Sequence, residues 1–299
     1  MELTMLINQN PQEKRKNLKT CLNSGKLLRF PGSFSPFVAK LIENEGFDGV
    51  YVSGASLSAD MGLPDIGLTS QTEVVTRSGQ IAKATMLPTI VDADTGFGEP
   101  INAARTITLL EEAGVSGCHI EDQRNPKRCG HLENKEIIST HDMSQRIQAI
   151  VEARTDKNFQ VIARTDARAI EGLDAAINRA KAYEQSGADI IFPEALINQN
   201  EFETFRAAIK LPLLINMTEF GKSPILTFSN IQNLGYNIVI YPVTTFRLGM
   251  KAIENGLKTL KAEGSQKNLV SSMMTRSKLY EVLEYEKYSK FDENVSKIK

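Results

Sequence analysis

Four glycines in this chain each stand directly before a short run of apolar residues. They are Gly46, Gly114, Gly187 and Gly235. Each one closes a charge-rich segment with helical spacing, and the apolar run that follows is too short to be a helix. Because glycine in the left-handed conformation commonly ends a helix, the pattern predicts four junctions where a helix ends and a strand begins.

Four further apolar runs alternate with these junctions, at 27–30, 89–91, 159–163 and 213–215. Helices are expected between the runs, because 70–73 matches a capping box and both 102–113 and 174–186 carry apolar residues at helical spacing. Eight strand-helix units in about 250 residues predict an α/β fold, a (β/α)8 TIM-type barrel. An open, doubly wound parallel sheet is the alternative.

We expect residues 1–299 to form a single barrel domain, because no low-complexity or Pro/Gly-rich linker divides the chain. A further helix with an apolar face is expected at 277–292, beyond the eighth unit, and something must cover that face. The content of 41% hydrophobic and 24% charged residues is typical of a folded globular protein.

Charge and cysteine content exclude several functional classes. With 35 basic and 36 acidic residues the net charge is -1, so neither nucleic acid nor a membrane surface is expected as a partner. No apolar segment has the length of a signal peptide or a membrane span, which favours a cytoplasmic location. Three cysteines without paired spacing indicate neither a disulfide framework nor a cysteine-rich zinc site.

Polar side chains follow seven of the eight apolar runs, at the ends of the predicted strands. They are Ser53, which is followed by Gly54, and Asp92, Asp94, Glu121, Arg164, Glu194, Asn216, Thr218 and Arg247. In a barrel these strand ends meet on one face, so the mixture of arginine and carboxylate predicts one site for an anionic ligand. Arg164 and Arg247 are candidate carboxylate clamps, with salt bridges to Glu194 or Asp166 as the alternative.

Asp92 and Asp94 are two residues apart at a strand end, so both side chains can face the same way. The two carboxylates repel each other unless a cation or a proton lies between them. Such hard oxygen ligands suit Mg²⁺, with Glu121 holding a bound water, and Mn²⁺ fits the same ligands.

The segment 123–133 is long, polar and basic for a loop between a strand and a helix, and it contains Cys129. Lys127, Arg128 and His131 flank this thiol, an electropositive setting that predicts a lowered pKa and a role as thiolate or proton donor. An exposed, idle cysteine is the alternative. His119 lies within an apolar run and is expected to be structural.

The motif Lys-Arg-Cys-Gly-His at 127–131 resembles the signature of the isocitrate lyase and 2-methylisocitrate lyase group, in the isocitrate lyase and phosphoenolpyruvate mutase superfamily. The resemblance extends to 52–55, 91–98, 119–122, 162–166, 192–194, 216–218 and 241–242. The chain has Phe192 where isocitrate lyases usually carry tryptophan, and Cys129 where the mutases lack cysteine. It therefore resembles the 2-methylisocitrate lyase branch most.

This resemblance implies a Mg²⁺-dependent retro-aldol (Claisen-type) cleavage of 2-methylisocitrate into pyruvate and succinate, as in propionate breakdown through the methylcitrate cycle. It implies Asp92, Asp94 and Glu121 as metal ligands, and Cys129, Tyr51, Glu121 and His131 as catalytic residues. Substrate-binding residues would be Ser53, Gly54, Ala55, Cys129, Gly130, His131, Arg164, Glu194, Asn216, Met217, Thr218, Arg247 and Arg276. The methyl group would contact Phe192, Ile240 and Pro242.

The resemblance also implies a homotetramer in which the C-terminal helix is exchanged between subunits. Two alternatives remain open. The chain could be an isocitrate lyase or another 2-hydroxy-diacid lyase of the same superfamily, which a comparison of substrates would decide. It could also be a catalytically silent barrel that binds carboxylates for regulation, although the complete set of polar residues argues against this.

Overall fold

Eight parallel strands alternate with helices in the computed structural model, which describes residues 10–131 and 134–296. The strands are β1 Leu28–Pro31, β2 Val50–Val52, β3 Thr89–Asp92, β4 Gly117–Glu121, β5 Gln160–Thr165, β6 Ile190–Pro193, β7 Leu214–Asn216 and β8 Ile238–Tyr241. They form one sheet in the order β1-β8-β7 and another in the order β2-β3-β4-β5-β6. Single parallel bridges join the sheets at both seams, Gly32 with Tyr51 and Ile191 with Leu213. This strand order is that of the predicted barrel.

Helices surround the strands and continue beyond them. They are α1 Pro11–Asn23, α2 Pro36–Asn44, α3 Gly54–Asp60, α4 Gln71–Lys83, α5 Pro100–Glu112, α6 Thr140–Ala153, α7 Arg168–Glu171, α8 Leu173–Gln185, α9 Gln199–Ala208, α10 Phe228–Asn233, α11 Thr244–Glu263, α12 Arg276–Val282 and α13 Tyr285–Ser296, with a 3-10 helix at Lys267–Ser272. Within the described ranges, no helix combines the length and the apolar character needed to cross a membrane.

The four predicted helix-to-strand junctions are confirmed. Gly46, Gly114, Gly187 and Gly235 follow α2, α5, α8 and α10, and all four have φ between 72° and 98°. This left-handed conformation is unfavourable for residues with a β-carbon, which is why the sequence pattern marks the junctions so clearly. The predicted capping box is also present, with Ser70 and Glu73 each accepting a hydrogen bond from the backbone of the other.

The C-terminal tail differs from the single helix expected at 277–292. The chain forms α12 and α13 instead, and Glu284, with φ of 55°, lies between them. The Glu284 carboxylate pairs with Lys40 of α2 and with Lys287 of α13, so the break is held by charges that helical periodicity does not reveal. Val282 is buried, and α12 contacts α2 of the same chain.

The strands enclose an apolar interior formed by Phe30, Tyr51, Ile90, Ile162, Phe192, Leu214, Ile238 and Ile240, among others. Leu18 and Leu22 of α1 pack into the same cluster. A second, larger apolar layer lies between the strands and the surrounding helices. The polar site described below is therefore built on strand ends that are fixed by packing on both faces.

Helix α1 is fastened to the barrel by a buried arginine. The Arg15 guanidinium donates to the backbone carbonyls of Glu111 and Val115, at 2.6 and 2.8 Å, and pairs with Asp156 at 3.2 Å. The Glu111 carbonyl lies in the last turn of α5, where carbonyl groups lack helical partners, and Val115 lies three residues beyond the end of that helix. One side chain thus bonds two backbone carbonyls and one carboxylate.

We predict that Arg15→Met destabilises the protein by about 3 kcal/mol, because it leaves buried acceptors and a carboxylate without their cation. Urea denaturation followed by circular dichroism measures the change. Lys16→Met is the matched control, since Lys16 is exposed on the same helix. Equal stability of the two variants would show that the Arg15 contacts do not fasten α1.

Candidate active site

A cavity lies at the carboxyl ends of the strands, where the sequence places its polar residues. Twelve of the predicted site residues line it: Tyr51, Ser53, Ala55, Asp92, Cys129, Gly130, His131, Arg164, Glu194, Asn216, Thr218 and Arg247. Phe192 and Pro242, expected beside the substrate methyl group, also line the cavity, whereas Ile240 belongs to the apolar interior beneath it. Residues distant in sequence therefore converge because parallel strands end on one face.

Arg164, at the end of β5, is buried and surrounded by three carboxylates. Asp166 receives two hydrogen bonds from the guanidinium, at 2.9 and 3.1 Å. Glu121 lies 3.0 Å away and Glu194 3.6 Å away, and the guanidinium also lies over the ring of Phe192. The salt-bridge alternative is thus present in the structure, and it fixes the orientation of the guanidinium at the cavity wall.

Asp92 and Asp94 form a second acidic cluster with a lysine from the loop. The backbone N–H of Asp94 donates to Asp92 at 3.1 Å, and the Lys127 ammonium lies 2.7 Å from Asp94. The same ammonium pairs with Asp65, which follows α3. Lys127 therefore neutralises two carboxylates and joins the loop to both.

Burial raises the pKa of Asp94 to about 6, although Lys127 opposes this effect. For Asp92, burial works against ionisation, but the positive charges around it, Lys127 and Arg164 among them, lower its pKa to about 2. Burial also raises the pKa of Glu121 well above its usual range, against the attraction of Arg164. At neutral pH Asp92 is the firmly ionised member of the pair, and the proton of Asp94 is the more readily retained.

The residues present fit a hard divalent cation held by two carboxylates. A β-carbon built on Gly54 would lie 2.9 Å from Asp92 Oδ2 and 3.4 Å from Asp94 Oδ1, so both carboxylates converge beside this glycine. Glu121 Oε1 is buried and accepts no hydrogen bond. Among the described residues no group of three or more acidic, histidine or cysteine side chains is already arranged around one point. Carboxylate oxygens of this kind suit Mg²⁺ or Mn²⁺, which keep several waters when bound by one or two carboxylates.

The loop that carries Cys129 lies against the cavity. Gln123 exchanges hydrogen bonds with the backbone of Arg128, at 2.8 and 2.9 Å. A β-carbon at Gly130 would lie 2.4 Å from Arg164 Nη2 and 2.5 Å from Glu194 Cγ. Only glycine allows the loop backbone to approach this closely. Gly130 therefore determines how near the thiol of the preceding residue, Cys129, lies to the strand ends.

The thiol of Cys129 does not have the lowered pKa that the flanking charges predicted. Burial raises its pKa, the backbone N–H of His131 lowers it in part, and the negative charge of Glu194 raises it further. The expectation was wrong because the Lys127 ammonium is directed to Asp65 and Asp94, and Arg128 is exposed. At neutral pH Cys129 is a protonated thiol.

His131 and two strand-end residues form a third group. His131 Nε2 lies 3.0 Å from Glu194 Oε1, and its Nδ1 accepts the backbone N–H of Lys222 at 3.0 Å. The Asn216 amide lies 3.3 Å from Glu194 and 3.5 Å from His131. The contacts join the Cys129 loop to the loop after β7.

Tyr51 is buried at the floor of the cavity, where its hydroxyl lies 2.7 Å from His119 Nε2. Burial raises the pKa of Tyr51 well above its usual value and lowers the pKa of His119 to about 4, so both groups are neutral at pH 7. His119 also lies 3.6 Å from Asp92. The histidine expected to be structural thus connects the tyrosine with an acidic cluster.

Three predicted substrate-binding residues are placed differently. Met217 is buried in the outer apolar layer, because the residue after β7 turns away from the cavity. Its backbone N–H donates to the carbonyl of Ile240. Arg276 begins α12, which packs on α2, and it does not line the cavity of its own chain. The backbone N–H of Gly54 donates to Asp92 at 3.2 Å and so supports the carboxylate.

The structure adds residues that sequence reasoning missed. Asp65, which lines the cavity and pairs with Lys127, gave no signal, since a lone acid in a loop after a helix is usually solvated. Asp166 was considered only as a possible salt-bridge partner for Arg164. Lys135, buried beside Asp166, was indistinguishable in sequence from a surface lysine.

Comparison with known proteins places these residues in a family. The phosphoenolpyruvate phosphomutase family matches residues 18–261. A protein of Corynebacterium glutamicum described as a probable 2-methylisocitrate lyase 2 is 54% identical, over 95% of this chain and 93% of its own length. The 2-methylisocitrate lyase of Bacillus subtilis is 43% identical, over 96% of this chain and 94% of its own.

Solved structures agree with this assignment. An oxaloacetate acetylhydrolase in complex with 3,3-difluorooxalacetate has a TM-score of 0.90 and 31% identity, covering 96% of this chain and 98% of its own. A phosphonopyruvate hydrolase in complex with oxalate and Mg²⁺ has a TM-score of 0.85 and 30% identity, covering 92% and 96% of the two chains.

The raised pKa of Cys129 predicts how its reaction with iodoacetamide depends on pH. Since only the thiolate reacts, the alkylation rate should keep rising with pH after the rate for free cysteine has levelled off. Mass spectrometry of the Cys129 peptide measures the rate, with Cys21→Ser removing the exposed thiol. A rate that levels off at or below the pH for free cysteine would contradict the neutral thiol.

Proposed function

The chain is a carbon-carbon lyase that belongs to the phosphoenolpyruvate phosphomutase family, and we propose that it cleaves 2-methylisocitrate into pyruvate and succinate. The observation that carries the proposal is a protonated thiol, Cys129, held by Gly130 above a cavity that also contains Asp92 and Arg164. This arrangement can bind a polycarboxylate, stabilise the negative charge that develops at its hydroxyl group, and donate a proton to carbon.

Asp92 and Asp94 would hold Mg²⁺ through their converging oxygens, with Glu121 on a coordinated water. When bound, the metal would act as a Lewis acid for the hydroxyl and carboxylate of the pyruvate half. Asp92, which is ionised at neutral pH, supplies the charge that makes this binding favourable. Mn²⁺ could replace Mg²⁺ at the same oxygens.

The pyruvate half would lie against Ser53 and Ala55, which begin the segment after β2 and line the cavity. Arg164 would attract its carboxylate while remaining anchored by Asp166. Asn216, Thr218, His131, Glu194 and Arg247 would surround the succinate half. Arg247 is half-exposed and bonded to Glu219, so a substrate carboxylate would compete with Glu219 for the guanidinium.

Cleavage requires that the substrate hydroxyl lose its proton. Tyr51 is a predicted base: its phenol would take the substrate proton while giving its own to neutral His119, a transfer that the raised pKa of Tyr51 and the lowered pKa of His119 both oppose. The short Tyr51–His119 hydrogen bond provides that path. No free phenolate is then required.

The bond that breaks leaves its electrons on the carbon that becomes the succinate methylene. Cys129 would protonate this carbon, since its thiol is neutral at pH 7 and lines the cavity from above. A positioned acid of this kind contributes about 10²–10⁴-fold to the rate. The loop also excludes water, which would otherwise protonate the carbanion without control.

The extra methyl of the substrate would rest near Phe192 and Pro242. Burying one methyl group contributes only about 1 kcal/mol, so discrimination against isocitrate should be roughly fivefold. Isocitrate or another 2-hydroxy diacid is therefore the alternative substrate.

We further propose a homotetramer in which C-terminal helices pack on neighbouring subunits. None of the twenty residues of α11 is buried, and Leu248, Ile253 and Leu257 are exposed on it. An apolar cavity of about 620 Å³ beside α2 is lined by Phe34, Val38, Leu41, Phe47 and Tyr241, among others. A helix with an apolar face from a second copy suits such a groove.

Purified protein with Mg²⁺ is predicted to cleave 2-methylisocitrate, which releases pyruvate, faster than isocitrate, which releases glyoxylate, or 2,3-dimethylmalate, which releases pyruvate. EDTA should abolish the reaction, and Cys129→Ser should lower kcat by about 10²–10⁴-fold. A coupled assay for the 2-oxo acid released, pyruvate or glyoxylate, measures turnover, and calorimetry checks that the variant still binds a substrate analogue. Cys21→Ser, altered at an exposed thiol on α1, is the matched control.

Two results would exclude parts of this proposal. Binding without turnover on every acid tested would favour the regulatory barrel. Full activity of Cys129→Ser would remove the thiol from the mechanism while leaving the substrate assignment intact.

A further inference from the structure

Lys135 lies where the Cys129 loop returns to the barrel, and its side chain is 1% exposed. Its ammonium donates to the backbone carbonyl of Gly130 and to Asp166 at 2.8 Å. A buried lysine costs free energy unless it is paired, so both contacts are needed to keep it there. One of them fixes the loop and the other fixes a residue of the barrel.

The barrel side of this connection is rigid. Asp166 accepts two hydrogen bonds from Arg164, and its own backbone N–H donates to Asp122 at 2.9 Å. Asp122 also accepts the hydroxyl of Thr165 at 2.8 Å. Lys135 therefore binds a carboxylate that cannot move without disturbing Arg164.

The loop side is equally defined. The backbone of Arg124 donates to Glu136 and that of Ile138 donates to Asp122, both at 2.8 Å, so the two ends of the loop are paired as a neck. Lys135 is next to Glu136 of this neck, whereas Gly130 lies midway between Arg124 and Glu136 in the sequence. By holding the Gly130 carbonyl, the ammonium keeps the backbone next to Cys129 pressed on Arg164.

The charges of the site favour the same arrangement. Arg164 alone faces Glu121, Asp166 and Glu194, which is one cation against three acidic groups. The Lys135 ammonium adds a second cation at Asp166. Loss of the Lys135 ammonium would leave more negative charge beneath the loop. Arg164 would then face the same three acidic groups without help from Lys135, and the orientation of its guanidinium would be less fixed.

We propose that Lys135 is a positioning residue, a latch that holds the Cys129 loop against the Asp166–Arg164 pair. Because its ammonium bonds both the loop and Asp166, it fixes the position of the Cys129 thiol relative to the Arg164 guanidinium. Its effect on turnover rests on the proposed function. Its effect on the accessibility of Cys129 does not, because that can be measured without substrate.

The test compares Lys135→Met with wild type and with Lys210→Met, an exposed lysine beyond α9. The iodoacetamide rate at Cys129, followed by peptide mass spectrometry at fixed pH, should rise about tenfold to hundredfold in Lys135→Met, the range for losing a charge-assisted hydrogen bond. In the lyase assay kcat should fall by a similar factor, with a smaller change in KM. Lys210→Met should match wild type in both.

Further variants separate a latch from general stabilisation. Lys135→Arg keeps a cation and should restore slow alkylation, whereas Asp166→Asn should speed it. If Lys135 acts through Asp166, the double variant Lys135→Met with Asp166→Asn will react no faster than the faster single variant. Additive effects would overturn this connection.

Wild-type alkylation in a folded Lys135→Met variant would overturn the proposal. If that variant does not fold, Lys135→Gln decides in the same way, and wild-type reactivity there would overturn it. A latch that controls Cys129 in a protein without lyase activity would leave the proposal standing and remove the substrate assignment instead.

Discussion

The buried guanidinium of Arg164 is the interaction on which the rest of the site depends. Asp166, Glu121 and Glu194 come from three different strand ends, and without a cation among them their carboxylates could not be buried together. The loop backbone at Gly130 rests directly on this guanidinium. This cluster of one cation and three acidic groups therefore forms part of the cavity wall, determines the charge of that wall and fixes the position of the loop at Gly130.

Two buried lysines fasten the Cys129 loop to two different acidic groups of the site. Lys127 enters the acidic group of Asp65 and Asp94, and Lys135 enters the group of Asp166. Between them Cys129 is largely removed from water, which keeps its thiol neutral. The loop thus lines the cavity and buries Cys129, and this burial keeps the proposed proton donor in its thiol form.

Much of the fold and part of the site could be predicted from the sequence. Glycine at the helix ends and short apolar runs predicted the strand-helix alternation, because those signals are local. The convergence of Asp92, Arg164 and Glu194 followed from the geometry of parallel strands. The partners of Lys135 and Asp65, the break at Glu284 and the raised pKa of Cys129 could not be predicted, because each depends on contacts between residues distant in sequence.

The central claim is that Cys129 gives its proton to the carbon that becomes succinate, and cleavage in D₂O tests it most directly. Nuclear magnetic resonance should find one deuterium in each succinate that the wild-type protein releases from 2-methylisocitrate. Cys129→Ser should form that deuterated succinate about 10²–10⁴-fold more slowly, as expected when a positioned acid is removed. Deuterated succinate formed by Cys129→Ser at the wild-type rate would contradict the claim.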